Sequence, residues 1–404
     1  MAGPLTGIRV IDFTAMISGP LATMTLADQG ADVVKVEPPG GGDHARNVAT
    51  RRGGFSASFV NNNRNKRSVV LDLKHDKGLE AVRRLIGEAD VLVQNFRPGV
   101  MDRIGLGEAA VRALNPKIVY VSIAGFGFEG PYAQKPVFDP LIQAVSGLTT
   151  VQAGSDEERP RLVRTILPDK LTAIQASQAI VAALFARERT GEGQHVTLSM
   201  LDTLVSFLWS SDMSGHTFIG EETEIENAQS FIDLIYETAD GYVSVAIMRD
   251  REWTAFAELA GHPEWADDDR FRTAAGREVN KNARLDLTQQ ALRNRSTDEW
   301  LTLLEGVDIP CAPVLSRRAM RTHPQVAANK IVVENVHSDA GPLRQTRPPA
   351  RFSRTEPEYR FGAPRLGQHT EAVLREAGYG DAEIEALLTS GAAWQDIGDA
   401  EAAQ

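Results

Sequence analysis

Cysteine is nearly absent: Cys311 is the only one in 404 residues. That excludes an intrachain disulfide framework and fits a reducing compartment. Long apolar runs are missing as well, and no stretch approaches the ~20 residues of a membrane-spanning helix. The start Met1-Ala2-Gly3-Pro4 carries no basic segment followed by an apolar one, so the expected location is cytoplasmic. Positive charge is in deficit, with 43 Lys and Arg against 54 Asp and Glu for a net charge of −11. A general nucleic-acid or anionic-membrane binder is thereby set aside, and a phosphorylated ligand must be met by a local cluster of cations. The eight histidines (44, 75, 195, 216, 262, 323, 337 and 369) are scattered, with no paired-His helix pattern. There is no G-x-S-x-G and no G-x-x-x-x-G-K-[ST] either, which removes zinc hydrolases, elbow-type serine hydrolases and P-loop enzymes. No metal is expected.

What remains is ordinary globular material, 42% hydrophobic and 24% charged, long enough for two or three cores. Ile8 to Phe13 is a short apolar run ending at Asp12, followed by Ser18-Gly19-Pro20, a helix-like segment and a second run, DVVKVEPPG, from Asp32. Strand, turn, helix and strand within about thirty residues is the βαβ pattern, which implies a right-handed crossover and a parallel sheet. The pattern recurs in SVVLDLK (68–74), GLEAVRRLIGEA (78–89), DVLVQNF (90–96) and KIVYVSIAGFG (117–127). The expected fold is a doubly wound, Rossmann-like α/β domain over residues 1–214, with 326–404 packing back on it. A polar linker over 215–227 leads to a smaller α+β domain over 228–325.

Ligands of such sheets bind at the carboxyl ends of the strands. Two cationic segments are candidates there: Asn61-Asn62-Asn63-Arg64-Asn65-Lys66-Arg67, and Asn95-Phe96-Arg97-Pro98-Gly99 leading to Arg103. Guanidinium forks and ammonium groups suit phosphate oxygens, while Asn95 and Phe96 suit hydrogen bonding to and stacking on a flat base. Gly125-Phe126-Gly127-Phe128-Glu129-Gly130 matches a dinucleotide fingerprint, but Pro131 and Pro136 interrupt the helix it requires. The NAD reading fails, and a turn that brings backbone close to a ligand is the better use of Gly125 and Gly127.

The segment Arg164 to Ala173 joins an extended stretch, Pro168, Asp169 and a long alanine-rich helix pattern ending near Gly191. Pro168 suits the first helical turn, so Asp169 is expected there, held ionised by the helix's positive pole and free to act as a nucleophile.

Taken together, IRVIDFTAMISGP, GADVVKVEPPGGGD, NRNKRSVVLDLK, VQNFRPGVMDRIG, SIAGFGFEGPY, Pro168-Asp169, TGEGQHVTLSMLD, TADGYV, GVDIPCAPV and LGQHTEAVL resemble the family III CoA-transferases, nearly end to end. The resemblance implies transfer of coenzyme A from an acyl-CoA donor to a carboxylic acid acceptor, with Asp169 as nucleophile. An aspartyl anhydride and an aspartyl-CoA thioester are the implied intermediates. It implies coenzyme A contacts at Met16, Ile17, Ser18, Leu71, Lys74, Asn95, Phe96, Arg97, Val100, Arg103 and Met200. Asp139, Gly125 and Gly127 fall on the substrate side, and an interlocked homodimer is implied. Departures are also visible: no glycine-rich loop follows the second domain's first strand, and Pro38, Ile17 and Asp139 stand where the formyl-CoA branch has arginine, glutamine and glutamate. That shifts the expected cofactor grip toward Arg97, Arg103 and the 64–67 cluster. The alternative on the same fold is an α-methylacyl-CoA racemase, which needs a histidine where Phe138 stands.

Overall fold

The computed structural model describes residues 3–48, 50–220 and 233–396. They form two compact units, one made of residues up to 229 together with 330 onward, the other of 230–329. Of the expected 215–227 linker, residues 221–227 lie outside the described residues.

The first unit is built on one sheet with five mutually parallel pairings. Its strands are β1 (Arg9–Asp12), β2 (Asp32–Glu37), β3 (Lys66–Leu71), β4 (Val91–Gln94), β5 (Val119–Ala124) and β6 (His195–Ser199). Val10 pairs with Val33 on one side and Val91 on the other, which centres the sheet on β1. The spatial order β3-β2-β1-β4-β5-β6 reverses direction between β1 and β4. A crevice opens at such a reversal, because the loops leaving the two strands diverge to opposite faces.

Both faces of the sheet are covered, and the strands therefore read as continuous apolar runs rather than alternating ones. On one face Val10, Val33, Val91, Val93, Val121 and Ile123 pack on α1 (Ser18–Asp28) and α5 (Leu167–Thr190). On the other, Ile11, Val34, Val69 and Leu92 meet α2 (Asp76–Gly87) and two C-terminal helices, α7 (Thr370–Glu376) and α8 (Asp381–Thr389). Between β5 and α5 lie two short helices, α3 (Asp139–Val145) and α4 (Leu148–Ala153); α6 (Met200–Trp209) follows β6. The tail adds a hairpin of β7 (Val332–His337) with β8 (Gly341–Thr346), and β9 (Ala393–Trp394), which pairs antiparallel with β3.

Alanines make the contact between α1 and α5 close: Ala22 and Ala27 on one helix, Ala173, Ala176 and Ala183 on the other, all buried in one cluster. The start of α1 is tighter still. A Cβ on Gly19 would fall 2.3 Å from the Thr14 Cβ, so no larger residue fits there without moving backbone.

β3 begins two residues before the expected SVVLDLK, at Lys66. The two charged residues are tolerated inside a strand because each is paired: Lys66 with Asp12, Arg67 with Asp32 and Glu376.

The second unit has a three-stranded antiparallel sheet, Cys311–Pro313, Tyr242–Val245 and Ile235–Glu237, with helices over Asp250–Ala260, Lys281–Leu292 and Thr297–Gly306. Trp253, Phe256, Phe271 and Trp300 fill its core. The indole N–H groups of Trp253 and Trp300 donate to the carbonyls of Trp265 and Leu292, which removes the cost of burying them. Among the described residues no helix is long and apolar enough to cross a membrane.

Candidate active site

At the crevice, the loop after β1 and the loop after β4 are locked together. The Asn95 side chain accepts the Ala15 N–H at 3.0 Å and donates to the Ala15 carbonyl at 2.9 Å. Asn95 is thus committed to holding backbone, while its neighbour Phe96 is 37% exposed. Gln94 supports the turn by accepting the Phe96 N–H, and its own amide donates to Ser122. Arg97 and Arg103 are exposed on the same loop and the short helical turn after it, as is Lys74 beyond β3.

The loop after β1 is shaped by charge from beneath. Met16 adopts a left-handed backbone (φ 71°), a conformation costly for a side chain with a Cβ. Its N–H donates to Asp43, and the Lys35 ammonium, fully buried, donates to the Thr14 carbonyl at 2.6 Å while pairing with Asp43 at 2.9 Å. Asp12 accepts from Thr14 and Thr23 and pairs with Lys66, which also donates to the Pro20 carbonyl and Asn63. Lys35 and Lys66 hold Asp12 well below the usual carboxylate range, against the opposing effect of burial. Burial pushes the Lys66 ammonium down to about 8. Sequence reading missed this network; its signal was a lysine inside the apolar run DVVKVE, a position that only a buried partner can accommodate.

The network corrects one expectation outright. The 64–67 cluster does not offer cations to a ligand: Arg64 is buried in a bidentate pair with Asp28, Lys66 is fully buried on Asp12, and Arg67 is spent on Asp32 and Glu376. In an acidic protein these cations had internal partners.

Asp169 lies where expected, in the first turn of α5 after Pro168, with Gly191 closing that helix in a left-handed conformation. Its electrostatics differ from expectation. Burial first, and the nearby Asp139 carboxylate second, raise it from the usual carboxylate value to about 6. The Ser18 hydroxyl and backbone N–H, at the start of α1, are directed at the carboxylate and moderate the rise. Two helix N-termini therefore converge on this group, yet their dipoles do not offset desolvation and a like charge.

Asp139, the first residue of α3, is buried at 3% exposure and also raised, chiefly by burial. One oxygen accepts the backbone N–H of Asp169 at 3.3 Å and the other the Gln143 amide at 2.6 Å. It supplies the N-terminal partner that Ile166, the residue before α5, cannot. Gln143 also accepts the Val163 N–H and donates to the Thr165 carbonyl, so one buried amide ties the segment before Asp169 to α3. Gln143 went unnoticed in the sequence; its four-residue spacing from Asp139 on a helix is the feature that could have shown it.

The remaining candidates divide. Ile17 precedes α1 as its cap position without a capping side chain, and Val100 opens the turn that carries Arg103. Leu71 and Met200 have buried side chains, in the sheet core and in a cluster with Ile142, Leu148 and Leu204 respectively, so neither side chain reaches a ligand. Gly125 is pressed against Val137, where a Cβ would come within 2.2 Å of its methyl, and Gly127 has φ 128°. Both glycines answer to the chain's own packing and turn. Among the described residues no group of three or more His, Cys, Asp or Glu could hold a metal ion.

The fold and this junction define a doubly wound α/β protein with its crevice at the strand-order reversal and a half-buried carboxylate beside it. The model of CoA-transferase family III matches residues 5–370, and the chain belongs to that family. Its members are enzymes that use CoA thioesters as co-substrates. The chain is 31% identical over 396 residues to succinyl-CoA:glutarate CoA-transferase of Homo sapiens, covering 96% of this chain and 89% of that one. It is 32% identical over 413 residues to formyl-CoA:oxalate CoA-transferase of Escherichia coli, covering 96% and 99%. Among solved structures it resembles a CAIB/BAIF family protein from Brucella suis, with a TM-score of 0.81, 30% identity and coverage of 93% and 100%.

Proposed function

We propose that this enzyme transfers coenzyme A between two carboxylic acids by covalent catalysis on Asp169. The observation that carries the reading is the half-buried Asp169 carboxylate, raised to about 6 and set between the starts of α1 and α5. Ionised at neutral pH but poorly solvated, it attacks the carbonyl carbon of the donor thioester. The C–S bond breaks, leaving a mixed anhydride on Asp169 and a CoA thiolate. The thiolate then attacks the Asp169 Cγ, expelling the donor acid and leaving an aspartyl thioester. The acceptor carboxylate attacks the same carbon to form a second anhydride; the returning thiolate takes its acyl group and frees Asp169. No step needs ATP, because anhydride and thioester are similarly activated.

The α1 start, with Ser18, is the group positioned to stabilise oxyanion charge as each tetrahedral centre forms. Phe96, Arg97, Arg103 and Lys74 are the residues left to grip the nucleotide part of coenzyme A, with Met16, Ile17 and Val100 lining the crevice by backbone. Relatives named for glutarate and oxalate support carboxylic acids as substrates. A racemase would need a proton-exchanging group beside Asp139, and Phe138 there carries none.

We also propose a homodimer. Ile174, Val181 and Phe185 on α5, with Phe207 and Trp209 on α6, leave an apolar surface that a second copy would cover.

The test is chemical. Wild-type enzyme incubated with a competent acyl-CoA and then hydroxylamine yields a hydroxamate on Asp169, seen by peptide mass. Asp169→Ala binds CoA ester normally but loses at least about 10³-fold in transfer. Undiminished turnover in that variant rejects the assignment.

A further inference from the structure

The segment between α4 and α5 carries Arg159, Arg161 and Arg164 within six residues, and with Gln152, Leu162 and Val163 they line an open cavity of about 800 Å³. In a chain with net charge −11, three cations gathered around one cavity need a reason. Several other arginines of this unit sit in ion pairs, Arg46 with Glu37, Arg64 with Asp28 and Arg187 with Asp90 among them. Arg159, Arg161 and Arg164 have no carboxylate partner among the described residues. Asp156, Glu157 and Glu158 directly precede them, but they do not line the cavity and pair with none of the three.

The cavity wall is coupled to the reacting carboxylate. Gln143 donates to the Val163 and Thr165 carbonyls on either side of Arg164, and its amide also holds Asp139, which accepts the Asp169 N–H. Asp169 follows Arg164 by five positions, at most roughly 17 Å of extended chain, and less here because the last three are helical. A short dicarboxylic acid reacting at Asp169 with one end must place its other end within that range.

We propose that the cavity lined by Arg159, Arg161 and Arg164 binds the free, non-reacting carboxylate of a dicarboxylic acid, in the acceptor or the acyl donor. This rests on the CoA-transfer reading of Asp169. Guanidinium groups match a carboxylate with paired N–H donors, and an unreacted carboxylate entering an acidic protein needs such a partner. A monocarboxylic acid has nothing to place there. The cavity therefore sets substrate class, while Asp169 sets reaction type.

The experiment compares glutarate with valerate as acceptors, which share five carbons and differ in the distal carboxylate, using succinyl-CoA as donor. Wild type is expected to favour glutarate in kcat/KM by at least about tenfold, the scale of one charged hydrogen bond. R159Q/R161Q/R164Q is expected to lose that preference with valerate unchanged, and R161K/R164K to keep part of it. Three results overturn the proposal: no discrimination by wild type, equal losses on both acids, or a raised KM for every CoA ester whatever its acyl chain. The last would assign the arginines to CoA phosphates. Absence of transfer to either acid while the Asp169 hydroxamate still forms also overturns it. Absence of any hydroxamate instead strikes at the CoA-transfer reading itself.

Discussion

Asp139 accepts the backbone N–H of Asp169 at 3.3 Å, so the carboxylate that anchors the start of α5 is also the like charge that raises the carboxylate α5 presents. Capping and electrostatic tuning are the same contact. The environment of Asp169, the proposed nucleophile, follows from how its own helix is held.

The first prediction concerns pH. Attack requires ionised Asp169, so transfer is expected to rise through about pH 6 and level off above it. Asp139→Asn removes the second cause of the raised value while leaving burial in place. The inflection should move to lower pH, read from kcat/KM against pH, and an unmoved inflection would show that Asp139 charge is not felt at Asp169.

Stability should trade against activity at the same residue. Asp169 is raised in the folded state, so its contribution is fully present below the unfolded carboxylate value and is lost as pH rises through about 6. Above that, folding retains an ionised group in a poor solvent environment. A rise of that size corresponds to roughly 3 kcal/mol, and partial exposure reduces this to about 1–2 kcal/mol. Asp169→Asn is expected to raise the melting temperature by a few degrees at pH 8 and by nothing at pH 4.

Gln143 is 1% exposed and serves Asp139, Val163 and Thr165 at once. Gln143→Leu leaves their polar groups unpaired in the interior, at a cost of about 2–4 kcal/mol. Urea denaturation should show it. Transfer should also fall in the folded fraction, because the segment entering α5 loses its anchor.

Lys66→Met breaks the buried pair with Asp12, removes the donor to the Asn63 side chain and leaves the Pro20 carbonyl with the Thr23 hydroxyl as its side-chain donor. The expected loss is about 3–5 kcal/mol. Asp12→Asn in the same chain should restore part of it, since the uncompensated charge is then gone. A simple additive double variant would mean the two groups do not interact.

Local signals were legible in the sequence because they depend on neighbours along the chain. The apolar runs of β1, β2, β4 and β5, Pro168 opening α5 and Gly191 closing it follow from backbone preference and periodicity, and they point to a parallel sheet with Asp169 in a first helical turn. The residues Met16 to Ser18 and Asn95 to Arg97 could be assigned to strand ends for the same reason. What they do there was decided by partners distant in sequence. Asn95 became a clamp on Ala15 across 80 residues, Arg64 and Lys66 found Asp28 and Asp12, and Asp139 came to lie under Asp169 across 30. Burial and like charge, both products of packing, then raised the carboxylate that helix position alone would have held low. A charged side chain has a type in the sequence, but its partner, and with it its free energy, exists only once the chain has folded.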